Sequence, residues 1–275
     1  MFVNLCRTFV FAVSTPARRW ALAKRLIPNR FKKFDGHYLR WNGWIHTRGG
    51  DAAQIKLTLR QRRWGRTVFS QHGEDLVLQR LLFRVLRLNP KGSFNYIDVG
   101  AFHPFDHSIT AHLSLLGWRG IAVDFSRTTE SAFALYRPNT VFILGAAGNG
   151  SIVDVLPKPS ALGDAGLTSS TRPTLEGRGG QKSLRVSDLA DSTGMRTIEF
   201  LNVDVEGAEL EVLNGIDFHR HAPVLICVEI HGVLNLENLS REPVAQFLFS
   251  KGYVAVAATV INFFFLRQES LGRGS

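Results

Sequence analysis

The sequence predicts an α/β fold built on a mostly parallel sheet, with an antiparallel hairpin at its C-terminal end. Three observations carry this. Short apolar runs alternate with helix-like stretches along the chain, the pattern of a parallel sheet covered by helices on both faces. Several of those runs end in acids, as at Asp98, Asp124 and Asp204, and the C-terminal ends of such strands are where open α/β sheets bind ligands. The last two runs, Tyr253–Ala257 and Val260–Leu266, are separated by only a couple of residues. That gap allows a hairpin and excludes a helical crossover.

Taken in order, Ser70 reads as the cap of a leading helix, with Glu74 and Asp75 in its first turns and Asn89-Pro90-Lys91-Gly92 as its stop. Phe94–Val99 is the first strand. A helix over 108–116 follows, then the strand Gly120–Asp124, a helix over 128–136, and the strand Thr140–Leu144. Ile152–Leu156 reads as a short fourth strand. Residues 157–182 are rich in Pro, Gly, Ser and Thr and read as a long mobile loop, of the kind that closes over a ligand. Leu184–Ala190 reads as a brief pairing followed by a turn of helix. Then come the strand Ile198–Asp204, a helix over 208–213, the strand Val224–Ile230, and a helix over 244–250 ended by Lys251-Gly252.

Of the 275 residues, 45% are hydrophobic and 20% charged, which is enough for a packed core. Two cysteines, Cys6 and Cys227, exclude a disulfide framework and fit a reducing compartment. The net charge of +10 is uneven: residues 1–70 hold 15 Lys or Arg against only Asp35 and Asp51. The chain therefore divides into a basic N-terminal extension, 1–67, and a nearly neutral domain, 68–268. The apolar start of the extension is too short and interrupted to span a bilayer. The extension is compatible with peripheral contact to an anionic membrane, so the expected location is cytoplasmic with membrane association as an option. No stacking motif of a nucleic-acid module accompanies its tryptophans, so no specific nucleic acid is expected as partner.

The strand ends set the chemistry. Asp98 and Gly100 close the first strand, and Asp124, 26 residues after Asp98, closes the second. A carboxylate there suits ribose hydroxyls. A dinucleotide fold would show G-x-G-x-x-G, whereas this chain has Gly100-Ala101-Phe102-His103-Pro104-Phe105. No P-loop occurs. A nucleoside ligand without a cradled diphosphate follows, and S-adenosylmethionine answers that description.

Ser70-Gln71-His72-Gly73-Glu74-Asp75, Ile97-Asp98-Val99-Gly100-Ala101, Gly117-Trp118-Arg119-Gly120-Ile121-Ala122-Val123-Asp124, Asp204-Val205-Glu206-Gly207-Ala208-Glu209 and Val228-Glu229-Ile230-His231 occur in this order. As a set they resemble the FkbM-type methyltransferases. The resemblance implies a Rossmann-like class I methyltransferase fold with a seven-stranded sheet and S-adenosylmethionine as cofactor. It further implies methyl transfer to a hydroxyl oxygen of a glycan or small hydroxylated metabolite. Three positions depart from the family pattern: Phe102-His103-Pro104 follows Gly100-Ala101, Phe125-Ser126 follows Asp124, and Asn202 stands where a lysine is common.

Gln71, Glu74, Asp98, Gly100, Asp124 and Asp204 are thus the candidate donor-binding residues, and His231, Asp204 and Glu229 the candidate catalytic ones. His231 is the first choice of base, because an imidazole titrates near operating pH. Asp204, Glu206 and Glu229 also suit a hard divalent cation, but the spacing does not demand one and none is expected. His103, His107 and Ser108 are candidates for lining the pocket. His112 and His219 read as surface or loop residues. Rival readings are an N-methyltransferase, opposed by the lack of an Asn/Asp-Pro-Pro-aromatic element, and a non-catalytic module that keeps the fold.

Overall fold

The computed structural model describes residues 68–158, 166–170, 181–233 and 236–271. The basic extension 1–67 lies outside them, as do 159–165 and 171–180 of the expected loop.

Seven strands form one sheet, in the order β3-β2-β1-β7-β8-β10-β9. The strands are β1 Asn95–Val99, β2 Arg119–Asp124, β3 Thr140–Leu144, β7 Phe200–Val203, β8 Leu225–Glu229, β9 Tyr253–Ala258 and β10 Asn262–Arg267. The first five of these in chain order pair in parallel. β10 is antiparallel to both of its neighbours, β8 and β9. The C-terminal hairpin is therefore present, and its second strand is the one inserted into the sheet, leaving β9 at the edge. Burial matches the choice: β10 (Asn-Phe-Phe-Phe-Leu-Arg) is buried over its first five residues, whereas β9 is buried only at Tyr253 and is half-buried or exposed beyond it.

The helices are α1 Glu74–Arg80, α2 Ala111–Leu115, α3 Arg127–Tyr136, α4 Val186–Ser192, α5 Glu209–Asn214, α6 Leu236–Leu239 and α7 Pro243–Ser250. One face of the sheet (Ile97, Val99, Leu201, Val203, Ile226, Val228) packs against Val186, Leu189, Val212, Leu213, Ala245 and Leu248 of α4, α5 and α7. The other face carries Tyr96, Phe200, Leu225 and Phe264 against Leu78 of α1 and Leu113 of α2. α3 covers Ala122 through Phe133.

Four local expectations are revised. Ser70 is not at the cap position, which Gly73 occupies at φ +86°, but its hydroxyl still serves the first turn, accepting the Asp75 N–H at 3.2 Å and donating to Asp75 Oδ1 at 2.8 Å. After Arg80 the leading helix widens into a π-turn over Leu81–Val85. It ends before the Asn-Pro-Lys-Gly stop, with Arg87 at φ +54°. The strand expected at Ile152–Leu156 is real, as β4 Ile152–Lys158, but it leaves the main sheet. It pairs with β5 Gly166–Ser170 and β6 Gln181–Lys182 in a separate three-stranded antiparallel sheet. Parts of the expected loop 157–182 are thus strand, not loop. Among the described residues no helix is long and apolar enough to cross a membrane.

Candidate active site

The parallel strands end along one rim. In the order β2-β1-β7-β8, that rim presents Asp124, Asp98 with Gly100, Asp204, and Glu229. Side chains two residues apart on a strand share a face, so Asp98, Asn202 and Cys227, paired across β1, β7 and β8, lie below Asp204 and Glu229 on the α1–α2 side.

Asp98 is 2% exposed. It accepts hydrogen bonds from Thr110 Oγ1 and from Asn202 Nδ2 at 3.0 Å. Burial pushes its carboxyl up, against the pull of the nearby Arg137 cation and of those two donors. Asn202, at the position where the family often has lysine, thus feeds a neutral donor to Asp98. Its own buried Oδ1 has no protein partner among the described residues.

Arg137 is the larger surprise. Its sequence signal was only that of a helix stop, yet it is 3% exposed. It donates to Pro104 O and Ser108 Oγ, both at 3.2 Å, to Thr110 Oγ1 at 3.0 Å, and to the Tyr96 hydroxyl. Its guanidinium lies 4.9 Å from the centroid of the Phe133 ring. Arg137 therefore fixes the loop that follows β1 and, through Thr110, the carboxylate of Asp98. Ser108 belongs to this network, and it is 4% exposed. His103 is also buried, its Nδ1 accepting the Asp106 N–H at 2.9 Å. His107 remains on the loop surface, stacked against Phe102 with centroids 6.1 Å apart.

Gly100 has φ +79°, and a Cβ there would lie 1.6 Å from the Asp204 carbonyl oxygen. Its absent side chain therefore serves the close approach of the β1 and β7 ends. Asp124 is half-buried and accepts from Phe102 N at 2.9 Å and Ser126 N at 2.7 Å. Burial raises its carboxyl despite those donors. A carboxylate offers about four acceptor sites, so capacity remains for a ligand hydroxyl.

Asp204 is pushed up to about 9, by burial first and then by the charge and hydrogen bond of Glu229. The Asp204–Glu229 pair therefore holds a shared proton more readily than either carboxyl would alone. Glu229 is 8% exposed, and its Oε2 stands 3.4 Å from His231 Nε2. His231 is itself largely exposed. One ligand atom each from Glu206, Glu229 and His231 lies within 4.8 Å of the other two. Two of the three candidate catalytic residues, Glu229 and His231, thus meet directly, and Asp204 joins them through Glu229.

The start of α1 is committed differently. Glu74, 1% exposed, accepts from Thr259 Oγ1 at 2.7 Å and Asn262 Nδ2 at 3.4 Å. It also accepts from His72 N at 2.9 Å. It ties α1 to the β9–β10 turn, while Gln71 is exposed beside it. His112 is not the loose surface residue expected. Its Nδ1 lies 3.1 Å from Asp75 Oδ2, and its ring packs on Phe69. His219 is exposed, as expected.

A seven-stranded sheet with this order, a single antiparallel strand inserted next to last, and acids along the C-terminal rim defines a class I methyltransferase fold. Residues 98–255, more than half of the chain, match the model of the methyltransferase FkbM domain. The chain belongs to that family, and membership implies S-adenosylmethionine as methyl donor. Among solved structures it is similar to the precorrin-6y C5,15-methyltransferase of Geobacter metallireducens GS-15, at 12% identity and a TM-score of 0.37, covering 69% of this chain and 85% of that one. No curated protein sequence matches it.

Proposed function

We propose that the protein transfers a methyl group from S-adenosylmethionine to a hydroxyl oxygen, the acceptor being a glycan or a small hydroxylated metabolite. One observation carries the reading. The rim holds two polar sets on opposite sides of the β1 end: Asp124 on β2, and Asp204, Glu206, Glu229 and His231 on and after β7 and β8.

The first set suits the donor. Asp124 has room for ribose hydroxyls, and the loop beginning at Gly100 separates it from the second set. The donor supplies a methyl carbon already activated by its sulfonium. The residues of this chain have to align the two reactants and keep water out. A hydroxyl must also lose its proton as the new bond forms, whereas a neutral amine is nucleophilic enough to attack first and lose a proton afterwards. Glu229 and His231 supply the polar groups for that loss. Asp204, its carboxyl pushed up by burial and by Glu229, shares a hydrogen bond with Glu229 on this side.

The test is a turnover screen with purified full-length protein, S-adenosylmethionine and a panel of sugars and hydroxylated metabolites. Both S-adenosylhomocysteine release and the methylated atom would be read. O-methylated product from wild type, with turnover lowered about a hundredfold or more in His231→Ala, is expected. Product methylated on nitrogen would overturn the oxygen assignment.

A further inference from the structure

We propose that Glu206, Glu229 and His231 form a binding site for one divalent cation of the Mn²⁺ kind at the C-terminal ends of β7 and β8. The site deepens the reading above, which takes these strand ends as the acceptor side.

Three features of the geometry carry it. The set combines two carboxylates with an imidazole nitrogen, so it is a mixed oxygen–nitrogen donor group and not only a gathering of acids. The three ligand atoms come from the ends of two neighbouring strands, β7 and β8, and lie within 4.8 Å of one another. The contact between Glu229 Oε2 and His231 Nε2 measures 3.4 Å, long for a charge-assisted hydrogen bond. It is, however, within a few tenths of an ångström of the spacing of two neighbouring ligands on one ion. Ligands about 2.1 Å from a six-coordinate ion sit about 3.0 Å apart at a right angle.

Burial divides the labour. Glu229 is more than nine-tenths buried and held in β8, so it is a fixed ligand. Glu206 and His231 are exposed, which leaves open positions for water or an acceptor oxygen. Two carboxylates, one imidazole and open positions suit a six-coordinate Mn²⁺ ion. A cation here would bind the acceptor hydroxyl and lower its pKa. His231 would then serve the acceptor as a ligand to that cation.

The experiment is titration of chelator-stripped full-length protein with MnCl₂, without donor, followed by calorimetry and by the electron paramagnetic resonance of Mn²⁺. One equivalent is expected to bind, with nitrogen coupling from an imidazole in pulsed spectra. His231→Gln should abolish that coupling. His231→Gln and Glu206→Gln should each weaken binding at least about tenfold, a ligand's share being no smaller than that of a group supporting one. Both positions are exposed, and thermal melts would verify that the variants fold. The absence of stoichiometric binding, or binding that neither variant changes, would overturn the site. Donor binding measured separately with chelator present judges the methyltransferase reading by itself. Mn²⁺ bound without any donor binding would keep the cation site and remove only its link to the acceptor.

Discussion

Asp75 shows how much of this site is decided by partners that lie far apart in the chain. It is fully buried at the start of α1. Burial alone would raise its carboxyl, but His112, the Phe69 N–H and the Ser70 hydroxyl together hold it below the ordinary value of 3.8. A depressed folded-state pKa adds stability above the unfolded value, and that stability is lost as pH falls through the folded one. Wild type should therefore lose stability in urea melts as pH drops below 3.8. Asp75→Asn should be less stable by about 2 kcal/mol at neutral pH and should show a flatter acid limb. An equal slope for the two proteins would remove Asp75 from the account. The acids themselves were legible in the sequence, because Asp98, Asp124 and Asp204 close apolar runs. Their partners were not. Thr110, Arg137 and Asn262 reach the site through tertiary contacts between distant segments, and nothing in Arg137-Pro138-Asn139 distinguishes a buried guanidinium from a helix stop.

Among elements, the ends of β1 and β7 are joined most closely. Gly100→Ala places a methyl group into the Asp204 carbonyl at a left-handed backbone position. Gly117 has a similar φ, +88°, but nothing lies within 4 Å of its would-be Cβ. Gly117→Ala should thus lose only the conformational part, roughly 1–2 kcal/mol. Gly100→Ala should lose that and a further 1–3 kcal/mol or so from the clash, and it should disturb the rim as well. Thermal melts of the two variants test this, and equal losses would contradict the close approach. The main strands were readable because strands buried on both faces are apolar runs. The departure of β4 from the main sheet was not, since an apolar run carries no label of the sheet it joins. Nor was the cap position at Gly73, because the Ser70 hydroxyl does accept a first-turn N–H, that of Asp75, but from three residues before the cap.

For the molecule as a whole, sheet order creates the site. β1 lies between β2 and β7, so Asp124 and the acid–histidine set face the rim from either side of the Gly100 loop. Alternating strands and helices predicted a parallel sheet, and the short Tyr253–Leu266 spacing predicted the hairpin. Which hairpin strand enters the sheet followed only from burial: the Phe263-Phe264-Phe265 run demands two covered faces, and Tyr253–Ala258 does not. We propose that S-adenosylmethionine lies on this rim with Asp124 on its ribose side. Calorimetric titration of S-adenosylmethionine into wild type and Asp124→Ala tests it most directly. One donor molecule should bind per wild-type chain. The variant should remain folded and bind at least about tenfold more weakly, the equivalent of about 1.4 kcal/mol. No binding by wild type, or equal binding by the two proteins, would contradict it.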